Sequence, residues 1–83
     1  MKENYTKALI KRGFEIKSVR ESTDGHAIIE ASTETPRGEM EVVICTNGTA
    51  MVEKPNGTHK WLYQKSICQL FRAIDQSLEF YKA

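Results

Sequence analysis

The stretch MEVVICTNGTAMVEKPNGTHKWLYQ, residues 40–64, contains Asn-Gly-Thr twice, and the two motifs start at Asn47 and Asn56. Asn-Gly between two runs of strand-forming residues predicts a β-hairpin, because tight hairpin turns need positive φ angles that glycine adopts without strain. The three runs around the motifs are MEVVIC, TAMVEK and THKWLYQ. The stretch therefore predicts a three-stranded antiparallel meander in which Pro55 ends the middle strand.

If each Asn-Gly forms a two-residue turn, the turns set the register of the three strands. Val43 is then expected opposite Val52, which in turn lies opposite Trp61. Glu41 is expected opposite Lys54. Apolar pairs and Glu–Lys pairs both stabilise a sheet, and a shift by one residue would move every side chain to the other face. We therefore expect two-residue turns at both motifs.

This register predicts apolar side chains on both faces of the meander. One face carries Met40, Val42, Ile44, Met51 and Leu62, and the other carries Val43, Cys45, Ala50, Val52, Trp61 and Tyr63. An antiparallel sheet commonly has one face in water. Either a helix covers each face, or both helices share one face and the other contacts a partner protein or a second copy of the chain in a homodimer. We expect the last helix on the aliphatic face and the short first helix only partly covering the aromatic face.

Two further runs upstream predict additional strands. GFEIKSVR, residues 13–20, alternates apolar and charged side chains, and HAIIEAST, residues 26–33, does so less regularly. The segments ESTDG and TETPRG contain the glycine and proline that are typical of turns. Together with the first three runs, they predict a meander of four or five strands.

Helices are predicted on either side of the meander. Residues 3–12 form one short helix, which Gly13 terminates. The second helix starts with the capping box of Ser66 and Gln69. Its apolar residues recur at helical spacing, at Ile67, Leu70, Phe71, Ile74, Leu78 and Tyr81.

The predicted class is α+β, with an N-terminal helix, an antiparallel β-meander of 4–5 strands and a C-terminal amphipathic helix, in a single domain of residues 1–83. A rival interpretation begins the last helix near Thr58, because no helix-breaking residue lies between Trp61 and Ser66.

Composition narrows the class of protein. The chain has 83 residues, 12 basic and 11 acidic side chains and a formal net charge of +1, so its overall charge does not attract it to nucleic acid or membranes. No apolar stretch approaches about 18 residues, and the first residues lack the apolar region of a signal peptide. Two cysteines are too few for a disulfide framework. We expect a cytoplasmic protein, in which the Asn-Gly-Thr motifs are turns and not glycosylation sites.

The cysteine and histidine residues give little evidence for a catalytic thiol or a metal site. In the predicted register, His59 lies on the order of 13 Å from the row that contains Cys45, too far for a nucleophile–base pair. Cys68 is expected as a small buried hydrophobic residue, and His26 as an exposed or structural one. The four residues also lack the close spacing of a zinc motif.

The sequence gives equally little evidence for a phosphate-binding site or an acid–base catalytic site. The sequence contains no glycine-rich phosphate-binding loop. Asp75 and Glu79 are expected on the solvated side of the last helix and not in a cleft. We therefore predict no enzyme, no catalytic residue, no bound metal and no cofactor.

Nucleic acid is the main alternative partner. Cations are predicted near one another at Lys7, Lys11 and Arg12 on the first helix, with Lys17 and Arg20 on the first strand. Aromatic side chains on a sheet with cations beside them form a stacking platform for single strands. The sequence lacks, however, the aromatic and basic signature of RNA-recognition strands.

We predict a small non-enzymatic binding protein that acts as a regulator or inhibitor through protein–protein contact. Its binding residues are predicted to be Trp61, Tyr63, Val43, Val52, Lys54 and His59. The alternative is a small single-stranded nucleic-acid-binding protein that uses an aromatic and basic sheet face. The size and layout are common among small accessory proteins of bacteria, phages and mobile elements, which is a likeness of fold alone.

Overall fold

The computed structural model describes residues 2–63 and 65–82. In these ranges the elements are α1 (Lys2–Lys11), β1 (Glu15–Glu21), β2 (Ala27–Thr35), β3 (Gly38–Cys45), β4 (Ala50–Glu53), β5 (His59–Leu62) and α2 (Ile67–Lys82). The five strands form one antiparallel sheet in chain order. The predicted α+β class is confirmed, and the rival helix starting near Thr58 is wrong because β5 occupies that segment.

The end of α1 follows from Gly13. Gly13 has a φ of 86°, and its N–H donates to the carbonyl of Ile10 at 2.9 Å. The N–H of Phe14 donates to the carbonyl of Leu9 at 3.0 Å. This pair of hydrogen bonds is the Schellman motif, in which a residue with positive φ ends a helix and an apolar contact accompanies it. Leu9 and Phe14 are both buried.

The start and the buried stripe of α2 also agree with prediction. The N–H of Ser66 donates to Gln69 Oε1, and the N–H of Gln69 donates to Ser66 Oγ, each at 3.2 Å. This reciprocal pair is the capping box. The buried apolar residues of α2 are Leu70, Phe71, Ile74, Leu78 and Tyr81, with Ile67 partly buried.

Both helices pack on the same face of the sheet. The rings of Tyr5 on α1 and Phe71 on α2 are 6.2 Å apart, and Arg12 forms an ion pair with Asp75 of α2. A single core cluster joins these helices to the inward side chains of the strands, among them Ile29, Ala31, Met40, Val42, Ile44, Ala50, Val52 and Leu62. The expectation that α1 would lie over the aromatic face is therefore wrong.

The register of both predicted hairpins differs from the expected one by one residue. Val43 lies opposite Met51, and Met51 lies opposite Trp61. At the first turn, the N–H of Cys45 donates to the carbonyl of Thr49 at 2.8 Å. The loop therefore has three residues and not two, and Lys54 with Thr58 repeats this pattern at the second turn.

Pro55 explains the longer loop at the second turn. In a two-residue loop, Pro55 would occupy a paired strand position and would lack the N–H that the ladder needs. In the three-residue loop it precedes Asn56 and Gly57, where its fixed φ suits the first central position of a type I turn, and Gly57 follows with a φ of 87°. The Asn56 side chain also accepts a hydrogen bond from the N–H of Thr58 at 3.0 Å.

The shift in register changes which residues share a face. Val52 and Ala50 point into the core, where they are 1 % and 2 % exposed, although they were predicted on the aromatic face. Met51 was predicted on the aliphatic face and instead lies in line with Val43 and Trp61. We call the side of the sheet that neither helix covers the open face.

Candidate functional site

Apolar and aromatic side chains occupy one part of the open face, on the four strands from β2 to β5. Trp61 and Tyr63 are 56 % and 63 % exposed, and their rings stack with centroids 6.2 Å apart and planes 14° apart. Two rows across the strands complete this surface, which we call the aromatic patch: Ile28 lies opposite Cys45 in one row, and Val43, Met51 and Trp61 form the other, with Tyr63 directly after β5.

Carboxylates occupy the neighbouring part of the same face, and we call them the acidic rim. Glu41 lies opposite Glu53, and Glu34 lies opposite Glu39, so two cross-strand pairs have like charges. Such pairs destabilise a sheet. The register places six glutamates on this face: Glu15, Glu30, Glu34, Glu39, Glu41 and Glu53.

Glu41 is the carboxylate most affected by this arrangement. Partial burial raises the pKa of the Glu41 carboxyl, and a hydrogen bond and the negative charge of Glu39 raise it further, followed by the charge of Glu53. The charge of Lys17 acts in the opposite direction. The causes that raise the pKa outweigh the effect of Lys17, so the negative charges around Glu41 are not fully balanced by this cation.

The cations on the open face are partly engaged in ion pairs. Arg20 contacts Glu30 at 3.0 Å, and His59 Nε2 lies 2.9 Å from the carboxylate of Glu53. His59 carries a charge only when it is protonated. In the part of the chain that the structure describes, the open face therefore carries more carboxylates than permanent cations.

The predicted binding residues fall into three groups. Trp61, Tyr63 and Val43 lie together on the aromatic patch, and His59 lies at its edge beside Glu53. Val52 does not lie on the open face, because its side chain is buried under the helices.

Lys54 lies at the entry of the second turn and not in the paired part of β4. Met51, Ile28 and the glutamates were not among the predicted binding residues. Pro55 was the sequence signal that could have found Met51, because it favours the three-residue loop.

The cations predicted for nucleic-acid binding do not gather beside the aromatic residues. Lys7 and Lys11 are exposed on α1, which packs on the opposite side of the sheet. Arg12 donates two hydrogen bonds to the carboxylate of Asp75. Arg20 pairs with Glu30. Arg20 also lies opposite Ile28, and Lys17 acts on the carboxyl of Glu41, so these two cations lie beside the six glutamates of the open face, which outnumber them.

The remaining chemistry-bearing residues are spread over the fold. Cys68 is exposed on α2, so its predicted burial is wrong, and Asp75 is held by Arg12 rather than simply solvated. Cys45 lies on the open face, on the other side of the sheet from Cys68. Across residues 2–63 and 65–82, no three histidine, cysteine or acidic side chains are grouped so that they could hold a metal ion.

No helix among the described residues has the length and apolar character needed to cross a bilayer. Comparison of the chain with protein-family models, with curated proteins and with solved structures gave no significant match in any of the three. Function must therefore be argued from the open face itself.

Proposed function

We propose that this chain is a small non-enzymatic binding protein that acts as a regulator or inhibitor by contacting another protein through the aromatic patch. One observation carries the proposal: both helices pack on one face of the sheet and leave Trp61 and Tyr63 on the other. A large exposed apolar surface on a small protein commonly marks an interaction site.

The composition of the patch supports this role. Tryptophan and tyrosine are enriched among the residues that dominate binding energy. The mutual stacking of Trp61 and Tyr63 limits the freedom of both rings, so less conformational entropy is lost when a partner covers them. Val43 and Met51 supply a half-buried apolar floor next to the two rings.

Single-stranded nucleic acid is the second candidate. The stacked rings of Trp61 and Tyr63 favour it, because bases stack on exposed aromatic side chains. The acidic rim argues against it, because the phosphate backbone needs cations along its path. We therefore rank protein binding first.

The cytoplasm is the compartment that we propose. Its support is the presence of two free thiols, Cys45 and Cys68, on opposite sides of the fold, where they cannot form a disulfide within the chain. A reducing compartment keeps such thiols unpaired.

The test is capture of partners from a cell extract with the immobilised wild-type protein and two matched variants. Trp61→Ala removes an aromatic side chain from the patch, and Phe80→Ala removes one of similar exposure, 60 %, from α2. We expect the Trp61 variant to lose a specific protein that the Phe80 variant retains. If both folded variants capture the same proteins as the wild type, the aromatic patch is not the binding surface.

A further inference from the structure

Resting on the proposed function, we infer that the protein segment bound by the open face is a basic amphipathic helix, which places apolar side chains on the aromatic patch and lysine or arginine side chains over the acidic rim. The juxtaposition of these two surfaces on one sheet face carries this inference.

The apolar part has the shape of a band that runs across the strands. Val43, Met51 and Trp61 lie in register on three neighbouring strands. At about 4.8 Å between strands, the band from β3 to β5 is about 10 Å long. A helix rises 1.5 Å per residue, so about seven residues of an apolar helical stripe would cover it.

The acidic part runs parallel to this band. Glu41 and Glu53 each lie two residues along the strand from Val43 and Met51, which is about 6.6 Å. A helix with its side chains is about 10–12 Å in diameter, so cations at its flank would reach the acidic row when its apolar stripe lies on the band. One helix therefore fits both surfaces at once.

The electrostatics of the face favour a cationic partner. Two glutamate pairs lie directly opposite each other, at Glu41 with Glu53 and at Glu34 with Glu39, although like-charge pairs destabilise a sheet. Lysine or arginine side chains of a partner would relieve this repulsion on binding. An acidic partner would increase it, since charge complementarity discriminates between partners.

A second copy of the chain fits less well. Packing two open faces together would bring two sets of six glutamates to one interface, and such like-charge contacts oppose association. The acidic rim opposes single-stranded nucleic acid for the same reason.

The experiment measures binding of two synthetic 14-residue peptides, one of leucine and lysine in an amphipathic helical pattern and one with glutamate in place of lysine. The chain contains one tryptophan, Trp61, so its fluorescence reports contact with the patch directly. Titration calorimetry gives the affinities. We expect the lysine peptide to bind at least about tenfold more tightly than the glutamate peptide, with a blue shift of the Trp61 emission.

Matched variants test the role of the rim. Glu41→Gln combined with Glu53→Gln should weaken binding of the lysine peptide by about three- to tenfold, the range for two exposed ion pairs. Glu79→Gln, at an exposed position on α2, should leave binding unchanged. Equal affinities for the two peptides, or equal effects of the two sets of variants, would overturn the inference.

Further outcomes separate this inference from the proposed function. A dimer that sedimentation detects in the wild type and not in Trp61→Ala would assign the face to a second copy. Tighter binding of an oligothymidylate than of the lysine peptide would assign it to nucleic acid. Either result overturns the inference, as would a captured Trp61-dependent partner whose contact segment is acidic. Of these three results, only the acidic partner leaves the proposed function standing. The proposed function is contradicted separately, if capture of the partner does not depend on Trp61.

Discussion

Glu41 and Glu53 lie directly opposite each other on β3 and β4, so that two carboxylates share one cross-strand position on the open face. Glu34 and Glu39 repeat the arrangement between β2 and β3. Opposite charges at these positions would stabilise the sheet, whereas like charges destabilise it. Proteins commonly break such a local rule where function requires it, which is why we propose the acidic rim as part of a binding surface.

The pH dependence of stability provides a first prediction. Because the pKa of Glu41 in the folded state is raised, the folded protein favours the protonated carboxyl more than the unfolded chain does. The contribution of Glu41 to stability is therefore fully present below the unfolded-state pKa and is lost as the pH rises through the folded-state pKa. We expect Glu41→Gln to be stabilising relative to the wild type at about pH 7, and less so at about pH 4.

Urea denaturation of both proteins at the two pH values checks this prediction. Glu79→Gln on α2 serves as the control, because no like-charged residue is paired with it across a strand. An advantage of Glu41→Gln that stays constant with pH, or that grows towards acid, would contradict the raised pKa.

The two turns provide a second prediction. Gly48 and Gly57 have φ angles of 97° and 87°, and no other atom lies within 4 Å of a Cβ added at Gly57. The effect of a substitution at Gly57 is therefore due to backbone strain and not to a clash. We expect Gly57→Val to lower the free energy of unfolding by about 1–3 kcal/mol, and Gly57→Asn to lower it less, because asparagine tolerates positive φ.

Thermal denaturation of the three proteins measures this difference, and Gly48→Val is expected to destabilise in the same direction. Equal midpoints for the wild type and the valine variants would be incompatible with the loop geometry.

Element order and helix ends could be predicted because each depends on a local signal. Gly13 forms the stop of α1, and Ser66 with Gln69 forms the capping box of α2. The helical spacing of the apolar residues in α2 gave its buried stripe. Such signals act within a few residues, so the local sequence is enough to predict where each helix begins or ends.

The register could not be predicted from hydrophobic pairing alone. Val42, Val43 and Ile44 are consecutive apolar residues, so a shift by one residue still places apolar side chains opposite one another. In such strands the turn sets the register. The expected Glu41–Lys54 pair favoured the wrong alternative at the first turn, whereas the lack of an N–H on Pro55 favours the observed loop at the second turn.

The open face could be predicted only in part. Trp61 and Tyr63 were expected together and lie together, because residues two apart in a strand share a face. That both helices lie on the other face depends on contacts between distant residues, such as Tyr5 with Phe71, which the sequence pattern does not contain. The Glu41–Glu53 pair of the acidic rim was missed because the expected register places Lys54 opposite Glu41.

The contact between the helices provides a third prediction. Arg12 donates to both oxygens of Asp75, at 2.7 and 3.2 Å, and its guanidinium lies 4.8 Å from the centroid of the Phe71 ring. We expect Arg12→Ala to lower the free energy of unfolding by about 1–2 kcal/mol, since the bond is charge-assisted and partly buried.

A double-mutant cycle with Asp75→Asn isolates the pair. A coupling of at least about 0.5 kcal/mol between Arg12 and Asp75 is expected in urea denaturation. Strictly additive effects of the two substitutions would mean that the ion pair does not hold α1 against α2.

The cysteines provide a fourth prediction, which follows from a binding role without thiol chemistry. Cys68 is exposed and Cys45 is half-buried on the open face. We expect the double variant Cys45→Ala, Cys68→Ala to lose less than about 1 kcal/mol of stability and to retain the Trp61-dependent partner. A folded double variant that captures no partner would assign a role to one of the thiols, and the single variants would identify which.

The last prediction compares two neighbouring residues of β5. Trp61 is 56 % exposed on the open face, whereas Leu62 is 5 % exposed and belongs to the core beneath the helices. Trp61→Ala should lower the free energy of unfolding by no more than about 1 kcal/mol, because the lost side chain was largely in water. Leu62→Ala should cost about 2–5 kcal/mol, because it leaves a cavity.

Partner binding is expected to reverse this order. Folded Trp61→Ala loses affinity, whereas any Leu62→Ala that remains folded keeps it, because the open face is unchanged. Urea denaturation and binding measured on the same preparations test both statements. If Trp61→Ala were as destabilising as Leu62→Ala while its folded fraction still bound the partner, Trp61 would be a structural residue and the proposed binding surface would lose its main anchor.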